Sequence, residues 1–231
     1  MNNWTLAEAL SRIEFLNNIE QSSYERLLKE AQLQLFKRGE TIYTDGCAMK
    51  NIYFVVEGQI SIYKVSRQGN KKIVFVQGDG AILNEEILQN DMSSVSADAM
   101  TNSALVAIPL EVMMTLMKED ASLNWLIINR MATKIRQMYH QLRNTTSNES
   151  IDRRLAAKLY KLAVDYGEEK EDGSIEINLK LTGTALADMI GVSRETISRQ
   201  MSKFKEDGYI GRRNAHIYIK SLDALYEYFG K

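Results

Sequence analysis

The sequence predicts an α+β chain in three parts: an N-terminal antiparallel β-barrel of jelly-roll type, a long helix, and a C-terminal winged helix-turn-helix. Three observations carry this expectation. From about Leu33 to Ile108, short β-type runs alternate with turn residues. From 120 to 146, apolar residues recur by three and four. From Leu181 onward, two short helical patterns flank a glycine and lead into a hairpin-like stretch. The expected divisions are 1–118 for the barrel with its flanking helices, 119–147 for the long helix and a hinge, and 148–231 for the last part.

Leu6, Leu10, Ile13, Leu16, Tyr24, Leu27 and Leu28 give residues 4–30 a helical period. Thr41-Ile42-Tyr43, Ile52-Tyr53-Phe54-Val55-Val56, Ile60-Ser61-Ile62-Tyr63 and Ile73-Val74-Phe75-Val76 read as strands. Asp45-Gly46, Glu57-Gly58, Gln68-Gly69-Asn70 and Gly78-Asp79-Gly80 separate them, and many short strands at this spacing close as a barrel or sandwich. Pro109, the only proline, ends the region and can open a helix over 110–118. In the long helix, Ile128, Met131, Ile135, Met138 and Leu142 form a coiled-coil seam, with Arg130, Lys134, Arg136 and Arg143 off it. Such a seam needs a partner, and a second copy of the chain supplies one; the alternative is a core helix packed on its own barrel. Asn144-Thr145-Thr146-Ser147-Asn148 is polar and reads as the hinge. Ile151 to Tyr166 is again helical, with Leu155, Leu159 and Leu162 on one face. Gly167 to Gly173 reads as a charged loop, and Ile175 to Leu181 as a short strand.

Composition narrows the function classes. The chain has 231 residues, 45% apolar and 26% charged, enough to bury a core. Its single cysteine, Cys47, excludes an internal disulfide framework and any multi-cysteine metal site. With only His140 and His216, a multi-histidine zinc site is not expected, and no metal or cofactor is assigned. The sequence contains no membrane-length apolar run and no signal-peptide pattern, so a reducing cytoplasm is expected. No phosphate-cradling glycine loop or nucleophile elbow is present, so no catalytic residue is assigned and an enzyme is not expected. The net charge of −1 hides an asymmetry. Between Gly191 and Lys220, Arg194, Arg199, Lys203, Lys205, Arg212, Arg213 and Lys220 face only Glu195, Glu206 and Asp207, whereas Ile73 to Leu116 holds no Lys or Arg. The first stretch can meet phosphate.

That stretch contains the informative motif, residues 181–204. Ala187 is small where two helices would cross, Gly191 can take the left-handed turn, and Ser193 can cap the second helix. Leu186, Ile190, Val192, Ile197, Met201 and Phe204 would be buried. Arg194, Glu195, Ser198 and Arg199 are then left on the outer face at the start of the second helix, where base edges are read in the major groove of double-stranded DNA. Arginine grips guanine O6 and N7, and a carboxylate accepts from cytosine N4. Thr182, Ser193, Thr196, Lys203 and Lys205 are candidates for phosphate contacts. Arg212 and Arg213 would sit near the backbone from the tip of a wing over 209–220.

Over nearly its whole length the sequence resembles the Crp/Fnr superfamily of bacterial transcription regulators. The resemblance rests on Val192-Ser193-Arg194-Glu195-Thr196-Ile197-Ser198-Arg199, on Gly39-Glu40, on Phe54-Val55-Val56-Glu57-Gly58 and on Gly78-Asp79. It implies a homodimer on a two-fold symmetric DNA site with TGA-like half-site cores, in contact with RNA polymerase. The pattern departs where relatives hold a cyclic nucleotide: Leu83 stands at the ribose-binding glutamate and Ser93 at the phosphate-binding arginine. A buried phosphate without a cation is costly, so an effector other than cyclic AMP is expected. The single cysteine cannot hold the iron–sulfur centre of one branch, and His140 does not match the haem ligand of another. Asn84, Glu85, Glu86, Ser93, Ser94, Tyr139 and His140 are the candidates for a polar pocket taking a small neutral or cationic molecule. The alternatives are a barrel closed on its own side chains, a redox-responsive regulator using Cys47, and a ligand-binding regulatory subunit acting on a protein partner.

Overall fold

A computed structural model describes residues 4–145, 150–214 and 216–230, with only the backbone for 140–145. The chain divides into two compact units, Met1–Lys64 with Val74–Gln141 and Val65–Ile73 with Leu142–Lys231.

In the first unit, α1 (Leu6–Ser11) starts at a capping box between Thr5 and Glu8. A 3₁₀ turn at Glu14–Asn18 separates it from α2 (Gln21–Glu30), so the helical period expected over 4–30 is carried by two helices and the turn between them. The break lets Leu10, Ile13, Phe15 and Leu16 all enter the core, which one straight helical face could not do.

Seven strands follow: β1 (Gln32–Phe36), β2 (Thr41–Tyr43), β3 (Asn51–Glu57), β4 (Ile60–Val65), β5 (Lys71–Gln77), β6 (Ser96–Ala99) and β7 (Ser103–Pro109). They form two sheets, ordered β1-β7-β3 and β2-β6-β4-β5, over one shared core. The expected barrel is therefore a two-sheet roll, with no closed ring of strands among the described residues. The ladders end where the chain changes sheet, at 37–40, 44–50, 58–59 and 100–102. Gly58 makes one of these turns at φ +112, with the Ser103 backbone where a Cβ would stand, so only glycine fits without strain.

β3 lies at the edge of its sheet, and residues 80–83 cover that edge: Val55 N–H donates to Ala81 O and Leu83 N–H to Tyr53 O. Asn84 then pins the chain to β3. Its Oδ1 accepts from the Tyr53 amide (2.9 Å) and its Nδ2 donates to Asn51 O (3.0 Å). The next residues form a 3₁₀ turn, Glu85–Leu88, which fixes Glu85 and Glu86.

After α3 (Leu110–Glu119), Asp120 is fully buried and starts α4 (Ala121–Thr145). One carboxylate oxygen accepts from the Leu123 amide (2.9 Å), the other from the Glu20 amide at the start of α2 (2.8 Å). Burial pushes its pKa up, but these amides and the Ser23 hydroxyl outweigh it and hold the carboxyl below its usual value.

The second unit comprises α5 (Ile151–Tyr166), β8 (Gly167–Glu169), β9 (Ile175–Ile177), α6 (Gly183–Ile190), α7 (Arg194–Glu206), β10 (Ile210–Arg213), β11 (His216–Ile219) and α8 (Leu222–Gly230). Its sheet is antiparallel, ordered β10-β11-β9-β8. The loop expected at 167–173 is thus a hairpin, and the strand expected to reach Leu181 stops at Ile177. Beyond it the Leu181 amide turns back onto Leu179 O, and both leucines enter the core. Leu155, Leu159 and Leu162 face inward as expected, with Ile197, Phe204, Ile217 and Leu225. Tyr228 on α8 donates to Asp152 at the start of α5 (2.7 Å) and packs edge-on to Phe204. Thr146, Ser147 and Asn148 of the expected hinge lie outside the described residues.

Candidate nucleic-acid interface and interior cavity

Two capped helices build the interface. Thr182 caps α6, its Oγ1 accepting from the Ala185 amide (3.1 Å). α6 ends at Gly191, which is left-handed at φ 78, and its amide returns to Ala187 O. Ser193 caps α7, accepting from the Thr196 amide (3.2 Å) and sharing a hydroxyl hydrogen bond with Thr196. Leu186, Ile190, Ile197 and Phe204 are buried between the helices and the rest of the unit. Val192 and Met201 are only half-buried.

Arg194, Glu195, Ser198 and Arg199 are all exposed on the first two turns of α7. The Glu195 carboxyl is held below its usual pKa by its own backbone amide and by the Ser193 hydroxyl. It therefore stays an acceptor, the state that meets a cytosine amine. Lys203 and Lys205 are exposed in the last turn. Thr182, Ser193 and Thr196 are engaged in capping first, so any phosphate contact adds to that role.

The wing is the β10–β11 hairpin. A side chain at Gly211 would meet the Tyr218 ring, and that ring lies under the Arg213 guanidinium at 4.8 Å. Arg213 is also paired with Asp172 (2.8 Å) and lies 4.0 Å from Glu176. Asp172 is held at about 2 by the Ser174 hydroxyl and amide and then by Arg213, so it is ionised at any physiological pH. By sequence Arg212 and Arg213 have the same role; both are exposed, but Arg213 is committed to Asp172 of the neighbouring acidic hairpin.

The first unit holds a cavity of about 250 Å³ between the β-roll and α4. Of the expected pocket residues, Glu85, Glu86 and Ser94 line it. Asn84 does not, because its amide is spent on β3. Nor does Ser93, which is buried and donates to Val95 O (2.8 Å). Tyr139 is 69% exposed and not part of the wall, and the His140 side chain lies outside the described residues. The rest of the wall is Ile62, Val74, Phe75, Val95, Met131, Lys134, Ile135 and Met138. Lys134 is the residue that sequence reasoning missed. Its ammonium donates to Glu85 Oε2 (2.8 Å) and lies 3.4 Å from Leu83 O. Glu86 has its pKa raised, chiefly by burial, with Lys134 holding it down and Glu85 pushing it up. Leu83 is fully buried, and the buried Ser93 hydroxyl brings no positive charge.

The expected seam splits between two faces of α4. Leu123 and Ile127 are buried in the core, and Met131 packs against it. Trp125, Ile128, Ala132, Ile135 and Tyr139 form a different, outward stripe, with Ile128 47% and Ile135 49% exposed. The Leu142 side chain lies outside the described residues. Cys47 is half-buried, its Sγ 3.4 Å from Met49 Sδ.

Comparison with known proteins places these features. The model of the cyclic nucleotide-binding domain matches residues 33–120, and that of the Crp-like helix-turn-helix domain matches residues 153–228. The chain is 22% identical over 219 residues to the CRP-like cAMP-activated global transcriptional regulator of Mycobacterium tuberculosis, covering 94% of this chain and 97% of that one. It is 26% identical to the global nitrogen regulator of Synechococcus elongatus, covering 86% of this chain and 90% of the relative. Among solved structures, FixK2 from Bradyrhizobium japonicum superposes with a TM-score of 0.75 at 17% identity, over 85% of this chain and 96% of that one.

Proposed function

The chain belongs to the Crp/Fnr family of transcription regulators with a DNA-binding helix-turn-helix, and from that premise we propose a homodimer that reads a palindromic site through α7. The observation that carries this reading is the set Arg194, Glu195, Ser198 and Arg199, exposed together at the start of a capped helix whose opposite face is buried. Two arginines and a carboxylate suit the G·C pair of a TGA-like core, and half-sites one helical turn apart fit a two-fold dimer. The outward apolar stripe of α4 is the dimer surface in this reading. The protein works in the bacterial cytoplasm with RNA polymerase as its partner, and a small molecule other than cyclic AMP enters the cavity. The lack of a cation free to meet a phosphate among the described lining residues supports that last part, because Lys134 is already held by Glu85. The M. tuberculosis relative, by its name, answers to cyclic AMP.

Binding of Arg199→Ala to cognate and scrambled duplexes tests the base-reading role. Affinity for the cognate site should drop by about 1–3 kcal/mol while scrambled DNA is held as before. Equal loss on both sequences refutes it. Ile128→Glu with Ile135→Glu should give monomers in sedimentation, and an intact dimer would remove the α4 stripe from the interface.

A further inference from the structure

Resting on the effector reading above, the cavity wall restricts what can enter it. The wall is almost entirely carbon, contributed by Val74 and Phe75 on one side and by Met131 and Met138 on the other. Its volume of about 250 Å³ equals roughly eight water volumes, the size of a molecule with a single ring. Flexible methionines can close around such a body.

The polar groups fix the sign of the guest. Among the described lining residues, Glu85 and Glu86 share one ammonium, that of Lys134. Lys134 is committed: it holds Glu85 at 2.8 Å and lies 5.9 Å from the Phe75 ring centre. An anionic guest would have to take it from Glu85 and leave that carboxylate buried without a cation, which is costly. Glu86 is different. Backbone amides reach its carboxylate, but the nearest hydroxyl, that of Ser93, is 3.4 Å away and closer to Val95 O, and no described residue pairs with it as an ion. Burial makes its charge unfavourable as long as no cation pairs with it.

We propose that the cavity binds a small amphipathic amine, its apolar body between Phe75 and Met131 and its ammonium on the Glu86 carboxylate. The guest supplies the second cation, so the site then holds two carboxylates and two ammonium groups in a carbon-walled space. Its body lies against α4, whose outward stripe is the proposed dimer surface, so occupancy bears on the helix that joins the two copies.

The test uses three probes of one skeleton with different heads: 2-phenylethylamine, 2-phenylethanol and 3-phenylpropanoate, titrated calorimetrically into the full chain. The amine should bind roughly tenfold tighter than the alcohol, one charge-assisted contact's worth, and the carboxylate weakest. Glu86→Gln, nearly the same shape, should erase the amine's advantage and leave the alcohol unchanged. Val74→Trp should fill the cavity and abolish binding of both. Tightest binding of the carboxylate, an amine advantage that survives Glu86→Gln, or no binding of the amine at millimolar concentration each overturns the proposal. Selective DNA binding, assayed on the same preparations, separates this failure from failure of the regulator reading.

Discussion

Replacing Lys134 with methionine tests the energetic weight of the buried ion pair in the cavity wall. The Lys134 ammonium sits 2.8 Å from Glu85, whose side chain is only 7% exposed, against 18% for Lys134. Removing the lysine leaves a nearly buried carboxylate without its cation, and breaking a buried pair in this way costs about 3–5 kcal/mol. Removing the acid instead, as Glu85→Gln, leaves a lysine with a flexible stem and a partly open path to solvent. That loss should be smaller, about 1–2 kcal/mol. The double change removes both charges and should cost no more than Lys134→Met alone, giving a coupling energy of about 2 kcal/mol. Urea unfolding at pH 7 reads this through tryptophan fluorescence, since Trp4 and Trp125 both lie in the first unit. Trp4 donates its indole N–H to Glu57 (3.1 Å), so its emission follows the roll rather than the second unit. A loss below about 1 kcal/mol for Lys134→Met, or single losses that simply add in the double variant, would show that the pair carries no such weight.

Other perturbations have equally definite outcomes. Gln200 on α7 carries a buried side-chain oxygen with no hydrogen-bond partner among the described residues, so Gln200→Leu should raise the unfolding free energy by about 1 kcal/mol; a decrease would show that the oxygen is satisfied. Asp120→Asn should lose about 2 kcal/mol at pH 7, because a neutral amide accepts more weakly from the Leu123 and Glu20 amides. The Asp120 carboxyl is held low in the folded chain, so its contribution is present above its unfolded value near 3.9 and disappears as pH falls through the folded value. Wild type and Asp120→Asn should therefore converge in acid, and a gap that persists unchanged below that range would assign the loss to packing. Asp172→Asn should release Arg213 and steepen the salt dependence of DNA binding by about 0.9 in log K against log salt; an unchanged slope would remove Arg213 from the phosphate contacts. Gly58→Ala should cost about 1–3 kcal/mol in thermal unfolding, from a left-handed φ and the Ser103 backbone beside it.

The helix-turn-helix was legible because short-range rules decide it. Gly191 supplies the left-handed residue, Ser193 caps two residues later, and Ile197 and Phe204 fall on the buried face by helical spacing alone. The strands of the roll were legible for the same reason, through short β-branched and aromatic runs set off by turn glycines. The closure of the sheets was not, because it depends on which strands pair across more than fifty residues, as β1 does with β7. The hairpin at 167–177 was only half legible: Ile175-Glu176-Ile177 alternates as a strand should, but its partner Gly167-Glu168-Glu169 has no apolar residue and reads as a charged loop. Asn84 looked like a ligand group because its polarity was visible and its two backbone partners on β3 were not.

The α4 helix shows where sequence reasoning stops. Spacing by three and four fits two stripes in one helix, and the expected seam took residues from both. Ile128 is half-exposed and away from the cavity, Met131 packs on the core and lines the cavity, and Ile135 and Met138 line it while standing half-exposed. Periodicity gives a helix an apolar face but does not fix its rotation against a neighbour; here Asp120, tied to Glu20 and Leu123, and Lys134, tied to Glu85, fix it. With that rotation set, Ile135, like Met138, touches the cavity and stands half-exposed, and Ile135 also belongs to the outward stripe proposed as the dimer surface. A guest that moves Ile135 must therefore change the surface presented to a second copy. Coupling between cavity and dimer needs no longer path than the width of this one side chain, and Ile135→Ala should weaken both ligand binding and dimerisation, whereas Ile128→Ala should weaken dimerisation alone. Equal effects of the two substitutions on ligand binding would break that link.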